Sequence, residues 1–327
     1  MNRSISADLI KSISIFAVVY IHGATLFGCA SNFTELSRSF FRFCVPCFII
    51  IFAYFFETSY AKKTKQERKA YINSRLKHLF VIFFLWSTLY FLMLVDWNDL
   101  TFQKLITKYF SGYGFAGQYF FIVLFQIIAL FPLLRWMYTK KPIRYLTILF
   151  MVVVYVLYGY FGELIPNALT KLGDRPFVFW IPHVFTGIAL SRNEIKKISP
   201  VYSLMIVLIA IEAYLLKNSV TISEYIRPVV LLSSIVFCTA LLQNSIEIKS
   251  NKLNSIIKYI GKNTMTIFVA NPLVIILSQK VIPNNFISNP SVFQLLFVPF
   301  LSAIFVFSIC IAITEIINHT KLKGVIN

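Results

Sequence analysis

Long apolar runs alternate with short polar segments from one end of this chain to the other. A helix needs about 20 apolar residues to cross a hydrocarbon core, and ten stretches approach that length: residues 9–29, 40–56, 79–95, 119–134, 145–161, 177–190, 201–216, 228–242, 264–282 and 292–317. Each is read as helical, because only a helix or a closed barrel satisfies its backbone groups in lipid. The sixth is short and interrupted by Pro182. No intervening loop exceeds about two dozen residues, too short for an independent core. Residues 1–327 therefore read as a single membrane-embedded domain, all-α and polytopic, with about ten transmembrane helices.

Composition agrees with the pattern: 58% of residues are hydrophobic and 13% charged, against about 25% charged in soluble domains. A net charge of +18 would point a soluble chain toward nucleic acid, but here the cations sit in short segments between apolar runs, so the expected partner is the bilayer and not nucleic acid. The two ends and the segments 57–78, 135–144, 191–200 and 243–263 hold 22 of the 31 Lys and Arg residues, and the opposite set of loops holds 9. That asymmetry predicts cytoplasmic termini. No internal repeat is visible, which weighs against a transporter built from repeated halves. Among the five cysteines, Cys44 and Cys47 have CxxC spacing but lack the βαβ setting of a redox motif. No resident metal or cofactor is expected.

Candidate chemistry concentrates in the first apolar run. Lys11 and His22 are eleven residues apart, which on a helix leaves them about 20° apart in direction and about 16 Å apart in height. Asp8 lies one turn below Lys11, so a polar base leads along one face to an imidazole within the membrane. An ionisable residue in a span is a functional candidate by default, because its desolvation has to be offset. Arg75, Lys77 and His78 fall on the same predicted cytoplasmic edge as Lys11. His183 and Glu212 also lie in apolar runs, while Arg38 and Arg42 stand at the predicted outer mouth.

These residues resemble the acyltransferase 3 family, bacterial membrane O-acyltransferases of surface glycans. In that family an Arg or Lys, ten residues and a His mark the first helix, as Lys11 and His22 do here. Val45-Pro-Cys-Phe48, running on to Ala53-Tyr54-Phe55, resembles the second helix, with Phe52-Ala53 where the family has Ser-Gly. Tyr71-Ile-Asn-Ser-Arg75-Leu-Lys77-His78 resembles the basic Arg-x-x-Arg entry to the third, His78 taking the second Arg position. Gln118-Tyr119-Phe120-Phe121, with Phe131-Pro132, and Phe185-Thr-Gly187 are similar to two further family spans. Gly261-Lys-Asn-Thr264, continuing to Phe268 and Asn271-Pro272, resembles a segment in which the family carries Tyr and His at the positions of Phe268 and Asn271.

The resemblance implies acyl-coenzyme A, typically acetyl-coenzyme A, as co-substrate. It implies an envelope polysaccharide or undecaprenyl-linked saccharide as acceptor, and the bacterial inner membrane as location. Under it His22 is the catalytic candidate, as general base or as transient acyl carrier. Lys11, Arg75 and His78 are candidates for the donor's phosphates, and Asp8 and Asn271 for support. The competing expectation is a transporter or flippase of a polar or lipid-linked substrate, with His22 as a proton-relay group.

Overall fold

The computed structural model describes residues 4–216, 222–244, 246–283, 286–287 and 290–320. The described residues form α-helices and short 3-10 turns and no strand. The helices, in chain order, are α1 (Ile5–Gly23), α2 (Asn32–Phe40), α3 (Cys44–Tyr60), α4 (Lys65–Leu94), α5 (Phe102–Phe110), α6 (Gln118–Thr139), α7 (Lys141–Tyr160), α8 (Asn167–Thr170), α9 (Ile181–Ser191), α10 (Val207–Leu215), α11 (Pro228–Leu242), α12 (Asn251–Lys262), α13 (Thr264–Val281) and α14 (Val292–Asn318).

Seven helical stretches among the described residues are long and apolar enough to cross a membrane: Ile5–Gly23, Asn32–Tyr60, Lys65–Leu94, Gln118–Thr139, Lys141–Tyr160, Thr264–Val281 and Val292–Asn318. The sixth, seventh and eighth apolar runs of the sequence form the shorter helical stretches Phe177–Ser191, Pro200–Leu215 and Pro228–Leu242. Proline accounts for their shortness. Pro182 and Pro228 each sit in a first turn, and the stretch from Pro200 begins as a 3-10 helix through Ile206, since proline fixes φ and offers no N–H to the preceding turn.

Four segments depart from the hydropathy reading. The first apolar run reaches residue 29, but its helix stops at Gly23 and the chain turns through Gly28 at φ 85°. The strongly basic segment 57–78 is mostly helical: α4 begins at Lys65 beneath a reciprocal cap in which the Thr64 hydroxyl accepts from the Glu67 amide and the Glu67 carboxylate accepts from the Thr64 amide. The segments 96–118 and 243–263 carry α5 and α12. Both are short amphipathic helices that a window tuned to 20 apolar residues passes over.

The first helix is central. α1 packs against α3, α11, α12, α13 and α14, and Ile10, Ile15, Ala17 and Val19 are wholly buried. α3 packs most extensively on α9, and Gly187 permits it. A Cβ there would lie 2.5 Å from the Ile50 carbonyl oxygen and 2.6 Å from the Ala53 Cβ, far inside van der Waals contact. α7 lies at the periphery, with Tyr145, Leu146, Leu149, Phe150 and Val153 exposed. An apolar outward face of that kind is what a lipid-contacting helix presents.

Candidate functional site

The site is built from the junction of α1 and α12. α12 approaches α1 so closely that a Cβ on Gly261 would meet Asp8 atoms at 2.7 to 2.9 Å. Asp8 is thereby buried, only 2% exposed, and accepts from the Lys11 ammonium at 3.2 Å. Lys11 also donates to the Gly261 carbonyl at 3.2 Å, at the C-terminal end of α12 where helix dipoles favour a cation. Ser12 ties the same helices together, donating to the carbonyls of Asp8 and Ile257 at 2.8 and 3.1 Å. Lys11 is therefore held in place, with its ammonium 5.6 Å from the centre of the Phe55 ring.

Above this junction lies a cavity of about 370 Å³ bearing three cations, Lys11, Arg75 and Lys262. Its walls are single faces of several helices. α3 contributes Phe48, Phe52, Phe55 and Ser59, spaced four, three and four residues apart, the periodicity of one helical stripe. α4 contributes Tyr71 and Arg75, α6 Phe120 and Leu124, and α13 Thr264 and Phe268, each pair one turn apart. The rings of Phe48, Phe120 and Phe268 form a continuous aromatic wall, with centroids 6.3 Å and 5.4 Å apart. Arg75 stacks on Tyr71 at 5.1 Å, and Lys63 covers the same ring at 5.2 Å. Among the described residues neither Arg75 nor Lys262 has an acidic partner. The cavity thus joins unneutralised cations to an apolar interior, a combination that accepts a molecule with phosphates at one end and an uncharged arm at the other.

The other sequence candidates take different positions. His78 is exposed and does not line the cavity. His22 lies in the last turn of α1 and is also absent from the lining. It is partly exposed and makes no hydrogen bond among the described residues, while the charges of Arg42 and Arg38 act on it. Arg38 donates to the Ile21 carbonyl at 2.9 Å, and Arg42 pairs with Glu224 and donates to the Tyr225 hydroxyl at 2.9 Å. Burial alone would raise the Glu224 carboxyl, but the charge and hydrogen bond of Arg42, the charge of Arg227 and the Ser39 hydroxyl together outweigh it and hold the group below the usual range. Asn271 is wholly buried with neither amide atom hydrogen-bonded among the described residues. His183 is likewise buried without a hydrogen bond, between the rings of Trp180 and Tyr155 at 5.7 and 6.3 Å. Glu212 accepts from the Tyr160 hydroxyl at 2.5 Å.

Sequence reasoning missed Lys262, Tyr71 and Ser59. Two had a signal: Tyr71 stands one turn before Arg75, and Lys262 directly follows the close-approach glycine. A second feature gave none. Glu57, 1% exposed at the end of α3, accepts from Arg135 on α6 at 3.0 Å and from Arg192 after α9 at 2.7 Å. It binds three helix ends at the cationic edge of the bundle.

The profile of the acyltransferase 3 family, described as an acyltransferase domain, matches residues 4–315. The chain belongs to this family and is a membrane acyltransferase. Among curated proteins and solved structures no significant match is found.

Proposed function

We propose that this acyltransferase moves a short acyl group, acetyl in the simplest case, from acyl-coenzyme A to a hydroxyl of a cell-envelope glycan or its lipid-linked precursor in the bacterial inner membrane. The observation that carries the reading is the cavity in which Lys11, Arg75 and Lys262 face an aromatic interior. Coenzyme A has that polarity, with phosphates at one end and a long neutral arm ending in the thioester at the other. The Lys and Arg asymmetry supports a cytoplasmic position for the end bearing these cations, where acyl-coenzyme A is made.

His22 is the proposed base. It shares the Lys11 face of α1, about 16 Å further along, so phosphates held at Lys11 set the thioester an arm's length away in the direction of the imidazole. The imidazole takes the proton of the acceptor hydroxyl as its oxygen attacks the thioester carbonyl. The carbon–sulfur bond then breaks, and the coenzyme A thiolate leaves with the proton held on His22. Because His22 does not line the cavity, the arm reaches it by displacing side chains of the aromatic wall around Phe48, Phe120 and Phe268. Asp8 and Asn271 are proposed to support from behind, Asp8 by orienting Lys11. His78 is proposed to contact the donor only at its outer, exposed portion.

The test is coenzyme A release by purified full-length protein supplied with acetyl-coenzyme A, with and without glycan acceptor, alongside mass spectrometry of surface polysaccharide from deletion and complemented strains. Acceptor-dependent release, and a deletion strain lacking the acyl mass on its glycan, are expected. Unchanged glycan in the deletion strain overturns the acceptor, and absence of release with any acyl-coenzyme A overturns the donor.

A further inference from the structure

A second cavity, of about 430 Å³, lies on the flank of the bundle away from the donor site, between α7, α9 and α11. Its two ends differ. At the cationic edge of the molecule it is bounded by Tyr138, Arg144 and Glu194, and beyond them its lining is apolar, with Ile148 and Val152 on α7, Phe185 on α9 and Leu232 on α11. From Arg144 to Val152 the trough follows eight residues of α7, about 12 Å. It opens sideways: Val152 is 50% exposed and Leu232 57%, on the flank where α7 presents its apolar outward face. What reaches it is therefore the lipid phase and not the aqueous loops.

The charge at the mouth is unbalanced. Lys140, Lys141 and Arg144 stand at the start of α7 against the carboxylate of Glu194, while Arg192 close by is shared between Glu194 and the buried Glu57. Arg144 reaches Glu194 with a single nitrogen at 3.4 Å while its guanidinium stacks at 4.9 Å on Tyr138. Stacking fixes the plane of the group and leaves most of its five N–H donors for an incoming anion. The N-terminal end of a 20-residue helix points to the same place and adds positive potential. Basic pockets between membrane helices on the cytoplasmic side are where anionic headgroups bind.

We propose that this trough is a binding site for one anionic phospholipid, its phosphate on Arg144 and one acyl chain lying along α7 between α9 and α11. The proposal needs only that the chain is embedded in a membrane and does not depend on the identity of donor or acceptor. It also separates this lipid from the general annulus, which has no reason to distinguish headgroups.

The test is native mass spectrometry of the delipidated full-length protein, titrated with phosphatidylglycerol or with phosphatidylcholine of identical chains. The first phosphatidylglycerol is expected to be retained at about tenfold lower concentration than phosphatidylcholine, the contrast expected of one well-placed cation. Arg144→Ala removes that preference and Arg144→Lys keeps part of it. Val152→Trp, made at a half-exposed position, fills the trough and weakens retention of both lipids. If Arg144→Ala does not purify as a monodisperse species, Arg144→Lys and Val152→Trp carry the test. Equal retention of the two lipids by the unaltered protein overturns the proposal, as does a phosphatidylglycerol affinity untouched by Val152→Trp.

Discussion

Lys11 and Arg75 point into one cavity, yet replacing them has different consequences, because only Lys11 neutralises a buried partner. Arg75→Ala removes a cation that stacks on Tyr71 and pairs with no carboxylate among the described residues. Its expected effect is a several-fold higher KM for acyl-coenzyme A with thermal stability unchanged, read by coenzyme A release and by melting in detergent. Lys11→Met raises the same KM but also removes one of the partners of Asp8, 2% exposed, so it should lower the melting temperature as well. Adding Asp8→Asn to Lys11→Met should restore stability without restoring donor affinity; a double variant as unstable as the single one refutes the pairing. His22 has no packing partner to lose through hydrogen bonding, so His22→Ala should leave melting unaffected while lowering acyl transfer by about 10²- to 10⁴-fold, the usual contribution of a positioned base. A variant that still acylates glycan at the original rate removes His22 from the chemistry. Glu224 makes a pH prediction. Its carboxyl is held below the usual range in the fold by Arg42, so it contributes stability that is present above about pH 4.3, the unfolded value, and is lost as pH falls through the lower folded value. Glu224→Gln should flatten that acid limb of the melting profile, and a profile identical to the parent's would contradict it.

At the scale of helices, two glycines decide how closely the bundle closes. Gly187 lets α9 press on the α3 backbone, and Gly261 lets α12 press on α1 at Asp8. In both cases the atoms a Cβ would strike include backbone, which cannot rotate away. Gly187→Ala should therefore destabilise by about 1–3 kcal/mol through overpacking, measured by thermal unfolding, with no specific effect on donor KM. Gly261→Ala displaces the very helix that positions Lys11, so its loss should appear in donor KM too. These two positions also show what a single sequence discloses. Both glycines stand out in family-like stretches, Phe185-Thr-Gly187 and Gly261-Lys-Asn-Thr264, but the reason for them is a contact between segments 130 or more residues apart, which no local pattern encodes. The long apolar helices were legible because lipid imposes length and composition on them. α5 and α12 were not, since a nine- or twelve-residue amphipathic helix looks like polar loop to a hydropathy window. The Glu57 junction was illegible for the same reason as the glycines: its partners Arg135 and Arg192 read singly as orientation charges. Glu57→Ala leaves both guanidiniums without their shared carboxylate. The expected cost is at the low end of roughly 3–5 kcal/mol, because each arginine remains about a quarter exposed.

For the whole molecule the decisive question is direction: the proposed chemistry needs donor phosphates at the edge carrying Lys11, Arg75 and Lys262, and an acceptor approaching His22 from the opposite edge. The Lys and Arg distribution, 22 against 9, predicts that the first edge faces the cytoplasm, and the protein's own cysteines make that testable. All five, Cys29, Cys44, Cys47, Cys238 and Cys310, are free and buried, so a membrane-impermeant maleimide has little to label in the unaltered chain. Ser255→Cys puts a thiol on the exposed face of α12, beside the Lys11 junction, and Gln103→Cys puts one on exposed α5 in the segment assigned to the other side. In intact cells Gln103→Cys should label and Ser255→Cys should not until the inner membrane is opened. The reverse pattern would turn the bundle over, bring the cationic cavity to a compartment without acyl-coenzyme A, and remove the donor assignment together with the orientation. Labelling of both from outside would mean that α12 is reached through the bundle, and the separation of donor and acceptor edges would fail even with the orientation intact.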